Sequence, residues 1–134
     1  MIDQISIYTE NRRGAAREIL SIFSKAGINV LSFVNSDSGE FGTVRVIVSD
    51  TDKAMESLKT GGYLCKLDNV LAAELDDTPG SLEQFLGVID EMNISIDYMY
   101  VGYMRDNHMP VIIIHCSFMD IVAQGLNKHG YTIY

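Results

Sequence analysis

The sequence predicts an α+β chain in which one β-α-β-β-α-β unit is written twice, with antiparallel sheets that carry helices on one face. Three observations predict it. A shift of 66 residues lays Gly14 on Gly80 and the helical pattern Ala16, Ile19, Leu20, Phe23 on Leu82, Phe85, Leu86, Ile89. Both sets fall at i, i+3, i+4, i+7, one face of a helix. Further along, a shift of 68 residues lays Asp52, Leu58 and Gly62-Tyr63 on Asp120, Leu126 and Gly130-Tyr131, so the second copy carries a two-residue insertion between its middle strands.

In the first copy, Ile5–Thr9 is an apolar-alternating strand. A helix follows over about Gly14–Ala26 and stops at Gly27, a fitting residue just past a helix end. Strand two runs from Ile28 to about Asn35, and Ser36–Gly42 is a turn by composition. Thr43–Val48 is a strand with Val44, Val46 and Val48 on one face. Thr51–Thr60 is the second helix, stopped by Gly61-Gly62, and a short strand near Tyr63–Lys66 closes the unit. The second copy reads as strand Val70–Leu75, helix Ser81–Met92, long strand Ile94–Tyr103, turn Met104–Met109, strand Pro110–Cys116, helix Met119–His129 and the closing YTIY. The order is the ferredoxin-like motif, twice. The domains are expected to span residues 1–67 and 68–134. The uninterrupted apolar run Val111–Ile114 leaves no solvated face, so a partner subunit or long neighbouring strands must cover its second side.

The chain has 134 residues, 47% of them hydrophobic, which is enough to fold around a core. A net charge of −8 would repel polyphosphate and anionic lipid, so nucleic acid and membrane are not expected partners. The N-terminus lacks the basic start and long apolar stretch of a signal peptide, which points to the cytoplasm. Cys65 and Cys116 lack metal-ligand spacing and read as reduced, partly buried thiols. No cofactor and no metal is implied. His115 and Cys116 are strand neighbours that point to opposite faces, and no base and nucleophile share a motif, so an enzyme is not expected.

The unusual residues gather where each first helix begins. Unpaired N–H groups and the positive end of the helix dipole can hold a carboxylate or phosphate there. Gly14 and Gly80 would let a ligand approach the backbone. The plainer reading is a well-made helix start, with Pro79 in the first turn, Thr78 or Ser81 as cap, and Ser81 with Gln84 as a capping box. The loops carry opposite charge, Arg12 and Arg13 beside Asn11 in one and Asp76 and Asp77 in the other. They would suit the two ends of a zwitterion, or simply pair with each other or with solvent.

Asn11-Arg12-Arg13-Gly14 and Asp77-Thr78-Pro79-Gly80 precede the helices. Ala26-Gly27-Ile28-Asn29-Val30 and Met92-Asn93-Ile94-Ser95-Ile96 leave them, and Gly62-Tyr63 and Gly130-Tyr131 end each copy. In this order, and in duplicate, these pieces resemble tandem ACT domains over essentially the whole chain. The resemblance implies a regulatory protein that binds a free amino acid at an interface between ACT units. It implies contacts from Asn11, Arg12, Arg13, Gly14 and Ala15 and from Asp77, Thr78, Pro79, Gly80 and Ser81. The strand-two starts, Asn29-Val30 and Ser95-Ile96, would add more. Arg13 where the family usually has Pro, and Asn93 and Ser95 where Gly and Asn are common, depart from the pattern. The two copies use up the chain, so the expectation is a homodimeric sensor acting in trans on a metabolic enzyme or regulator. The alternative is an ACT-like module that binds another protein and no small molecule.

Overall fold

The computed structural model describes residues 1–102 and 109–134. Its elements are β1 (Ile2–Glu10), α1 (Ala15–Lys25), β2 (Val30–Ser38), β3 (Phe41–Val48), α2 (Thr51–Thr60), β4 (Leu64–Glu74), α3 (Ser81–Glu91), β5 (Ile96–Val101), β6 (Val111–Cys116) and α4 (Met119–Lys128). The chain divides into two compact units, Asp3–Asp68 and Asn69–Tyr134, the second joined by Met1–Ile2. Most of the expected Met104–Met109 turn, with Tyr103 before it, lies outside the described residues.

In the first unit β3 pairs antiparallel with β2 on one side and β1 on the other, Val46 lying opposite both Phe33 and Ile5. In the second, β6 pairs antiparallel with β5 and β4, Ile114 lying opposite Met99 and Leu71. The C-terminal segment closes this unit on β4: Ala73 bridges Ile133, and the Tyr134 N–H donates to the Ala72 carbonyl at 2.8 Å. Each unit is thus the β-α-β-β-α-β fold read from the repeat.

Each helix buries a stripe at i, i+4 spacing: Ala15, Ile19 and Phe23 on α1, Ala54 and Leu58 on α2, Phe85 and Ile89 on α3, Val122 and Leu126 on α4. In the first unit these stripes pack on Ile5, Ile7, Val44, Val46 and Val48. In the second they pack on Leu71, Ala73, Ile112, Ile114 and Cys116. Phe85 meets Tyr131 edge to face, with centroids 5.2 Å apart. Two residues of the sequence pattern fall outside the stripe. Leu20 and Leu82 are 37% and 40% exposed, because the buried arc is centred on Ile19/Phe23 and Phe85/Ile89.

The repeat extends to backbone detail. A bulge sits between Val30 and Ser32 in β2 and again between Ile96 and Tyr98 in β5, leaving Leu31 and Asp97 as the equivalent extra residues. Gly27 leaves α1 with φ +70°, and Asn93 leaves α3 with φ +59°. Asparagine is among the few side chains that tolerate this left-handed region. The departure at Asn93 therefore preserves the geometry that glycine provides in the first copy.

The structure corrects three expectations. The strands near Tyr63–Lys66 and Val70–Leu75 are one strand, β4. Asp68-Asn69 has turn composition, yet Asp68 is held in the strand by the Ser6 hydroxyl, which donates to it at 2.6 Å, and by Lys66 at 3.1 Å. Strand two begins later in both copies, at Val30 and Ile96, because the left-handed residue is followed by two connecting positions. Finally, Val111 and Ile113 are fully buried, as are Ile112 and Ile114 to within 2%, within the single chain. The apolar run on β6 therefore does not require a second subunit to cover it.

Candidate functional site

Both first helices begin the same way. Gly14 (φ +84°) and Gly80 (φ +89°) occupy the cap position in the left-handed conformation, and neither α1 nor α3 receives a side-chain cap. The Ala15 N–H reaches the Arg12 carbonyl at 3.3 Å and the Ser81 N–H reaches that of Thr78 at 3.2 Å. Regular helical bonding resumes at Glu18 and Gln84, which donate to the two glycine carbonyls. The capping box expected from Ser81 and Gln84 is not formed. The Ser81 hydroxyl is 2.7 Å from that of Thr78 instead, and Pro79 precedes the cap rather than opening the helix.

A cavity lies beside each of these starts. In the first unit it has a volume of about 310 Å³ and is lined by Thr9, Glu10, Asn11, Arg12, Gly14 and the first turn of α1, with Asn35 and Gly42 from the adjoining strands. In the second unit it has a volume of about 200 Å³ and is lined by Leu75, Asp76, Asp77, Thr78, Ser81 and Leu82, with Val101 and Pro110–Ile112. The two are copies of one site. Thr9 corresponds to Leu75, Ala16 to Leu82, Asn35 to Val101 and Gly42 to Pro110. The first is polar and the second largely apolar.

Two polar side chains of the first loop, Arg12 and Asn11, are already engaged. Arg12 grips Glu18 with two hydrogen bonds, Nη1 to Oε1 at 3.1 Å and Nη2 to Oε2 at 2.7 Å. The Tyr63 hydroxyl donates to the same carboxylate at 2.9 Å. The hydrogen bonds from Arg12 and Tyr63 lower the pKa of Glu18, and its carboxylate raises that of Arg12. Burial, with the bond to Glu18, raises that of Tyr63. The side-chain amide of Asn11 donates to Asp37 at 2.8 Å and to the Gly39 carbonyl at 2.9 Å. Asn11 therefore pins the β2–β3 turn against the helix start. Arg13 is exposed.

Of the residues singled out in the sequence, the structure brings Asn11, Arg12, Gly14 and Ala15 to one cavity and Asp77, Thr78 and Ser81 to the other. Pro79 and Gly80 connect the second set. Asn29 and Val30 line a different, open cavity with Leu20, Phe23 and Gly27, at the far end of α1. An 11-residue helix is about 16 Å long, so these residues do not share one pocket with the loop of their own unit. Ser95 is exposed and Ile96 packs on the core of the second unit. The strand residues Asn35, Gly42, Val101, Val111 and Ile112 were not marked by sequence reasoning. The 66- and 68-residue shifts align Asn35 with Val101 and Gly42 with Pro110, a signal that could have found them.

Elsewhere, His115 Nδ1 lies 2.8 Å from the Asp97 carboxylate and its ring stacks on Tyr98, with centroids 5.0 Å apart. Cys116 turns to the opposite face and joins the core, as strand alternation requires. Cys65 and Cys116 are free thiols, and burial raises the pKa of each. Among the described residues, no group of three His, Cys, Asp or Glu side chains is placed to hold a metal ion, and no helix is long and apolar enough to cross a membrane.

The sequence matches the ACT domain pair family over residues 1–120. A search of curated proteins found no match. Among solved structures, the chain is similar to a protein of Bacteroides thetaiotaomicron at 28% identity and a TM-score of 0.90, covering 99% of this chain and 91% of that one. It is similar in fold to the regulatory subunit of aspartate kinase from Thermus thermophilus in its ligand-free form, at 13% identity and a TM-score of 0.69, covering 94% and 91%. It is likewise similar to aspartokinase alpha and beta subunits at 16% identity and a TM-score of 0.59, covering 96% of each. With two units of this fold, the same cavity beside each first helix and a family match over most of its length, the chain belongs to the ACT domain pair family.

Proposed function

We propose that this ACT pair is a regulatory protein that binds a free amino acid and acts in trans on a metabolic enzyme or regulator, as a cytoplasmic homodimer. The observation that carries the reading is the equivalent cavity beside an uncapped helix start in both units. Unpaired N–H groups in the first turn suit a carboxylate. A left-handed glycine at the cap keeps a side chain out of its path. Asp76 and Asp77 border the second cavity and suit an ammonium group. The Thermus relative, of the same fold, is a regulatory subunit of an aspartate kinase, and an ACT pair acting on a separate catalytic chain fits that arrangement. On this reading the domains are residues 1–67 and 68–134.

In the second reading the ACT pair binds only another protein. The exposed Leu64 (72%) and Phe41 (63%) of the first unit favour it, since large apolar side chains in water suit a docking surface. A thermal-shift screen against the twenty amino acids separates the two. Ligand at about 100 times its Kd adds about 2.7 kcal/mol to the native state, which raises the melting point by several degrees. A shift with one chemical class supports the sensor, and no shift with any of the twenty refutes it in favour of protein docking.

A further inference from the structure

We propose that the two copies have diverged into one working pocket and one loop engaged with its own side chains: the cavity of the second unit takes an aliphatic amino acid, and its counterpart in the first unit does not. The inference rests on the amino-acid reading and names the site and the ligand class within it.

The walls decide the class. Leu75, Val111 and Ile112 form an apolar floor that is at most 7% exposed. Leu82 and Val101 stand at the rim, Val101 with 66% of its surface in water. A branched aliphatic group seated between floor and rim would leave water itself and cover the exposed rim, which is favourable in proportion to the apolar area buried. At roughly 30 Å³ per water-sized group, a cavity of about 200 Å³ holds about seven such groups, the scale of one small amino acid. Among the described residues, the charges on the lining are the carboxylates Asp76 and Asp77, which suit the ammonium end and oppose an acidic side chain.

The first unit lacks the apolar walls. Thr9 and Asn35 replace Leu75 and Val101, so an aliphatic group entering there would displace water from polar walls. Arg12 and Asn11, the groups that would meet a ligand, are held by Glu18 and by the β2–β3 turn.

The test is a calorimetric titration of leucine, isoleucine and valine, with serine, aspartate and lysine as contrasts, on four proteins. These are the unmodified chain, Val101→Asp, Leu82→Asp and the first-unit counterpart Asn35→Asp. Val101 is largely exposed and Leu82 partly so, neither belongs to the buried core of the unit, and two variants guard against one failing to fold. The expected result is saturable binding of an aliphatic amino acid, weakened about tenfold or more by Val101→Asp and Leu82→Asp and unchanged by Asn35→Asp. Binding only of polar or charged amino acids, or aliphatic binding lost in Asn35→Asp and kept in the other two, overturns this inference and leaves the amino-acid reading standing. No binding of any of the six overturns this inference, and no response to any of the twenty in the thermal-shift screen overturns the amino-acid reading with it.

Discussion

Replacing Gly80 with alanine tests the helix start on which the site depends. Gly80 has φ +89°, and a Cβ built on it meets nothing within 4 Å. The cost is therefore backbone strain alone, with no clash to confuse it. Holding an L-residue in the left-handed region costs roughly 1–2 kcal/mol. Alanine recovers about 0.4–1 kcal/mol by narrowing the unfolded ensemble, so the net loss should be about 1 kcal/mol. Gly14 has φ +84° and equally open space, so Gly14→Ala should lose the same amount. Urea denaturation followed by circular dichroism reads this as a lower midpoint at unchanged m, with a melting point lower by roughly 3–5 °C. Gly80→Asn should cost less than Gly80→Ala, since asparagine tolerates this region and already holds it at Asn93. If Gly80→Ala is as stable as the unmodified chain, or Gly80→Asn is the worse of the two, the helix start is not built as described.

The two cores can be probed in parallel: Phe23→Ala and Phe85→Ala, each removing a fully buried ring, should each cost about 3–5 kcal/mol by chemical denaturation. The Glu18 carboxyl should titrate below its ordinary value of 4.5 in an NMR pH series, and Arg12→Ala should move it back upward. A lowered carboxyl pKa favours the folded state above the unfolded value, so the contribution of this exposed pair is present at neutral pH and disappears as pH falls through the folded pKa. Cys116, 3% exposed and with its thiol pushed up by burial, should react with a thiol reagent far more slowly in native protein than in urea.

The fold was legible because its signals are local and come twice. The i, i+4 stripes through Ile19–Phe23 and Phe85–Ile89 define the helices without tertiary knowledge. Gly14, Gly27 and Gly80 mark positions that the structure places at positive φ, and the 66-residue shift fixes the order of strands around them. Continuity of β4 was hidden because the repeat ends one copy and begins the next within it, with the polar pair Asp68-Asn69 between the two apolar stretches. The Ser6 and Lys66 contacts that straighten it come from side-chain partners that composition does not show. The loops were legible as unusual, and the structure places a cavity beside each, but their electrostatics were not legible. Arg12 and Asp77 read as the two poles for a zwitterion, and Arg12 is engaged by Glu18 in the first turn of α1. Asn11, expected as a ligand contact, lines the cavity and also clamps the β2–β3 turn, because the hairpin brings Asp37 and Gly39 to it. The cavity walls come from strand ends far away in sequence, Val101 and Val111 in the second unit, and no local pattern reveals what a strand end faces.

The most direct test of the account maps amide chemical shifts of ¹⁵N-labelled protein while the twenty amino acids are added singly. Saturable shifts with one of them, centred on residues 75–82, 101 and 110–112, are the predicted result. Shifts with none of the twenty, or shifts confined to surfaces away from both helix starts, would contradict the claim that this ACT pair senses a free amino acid.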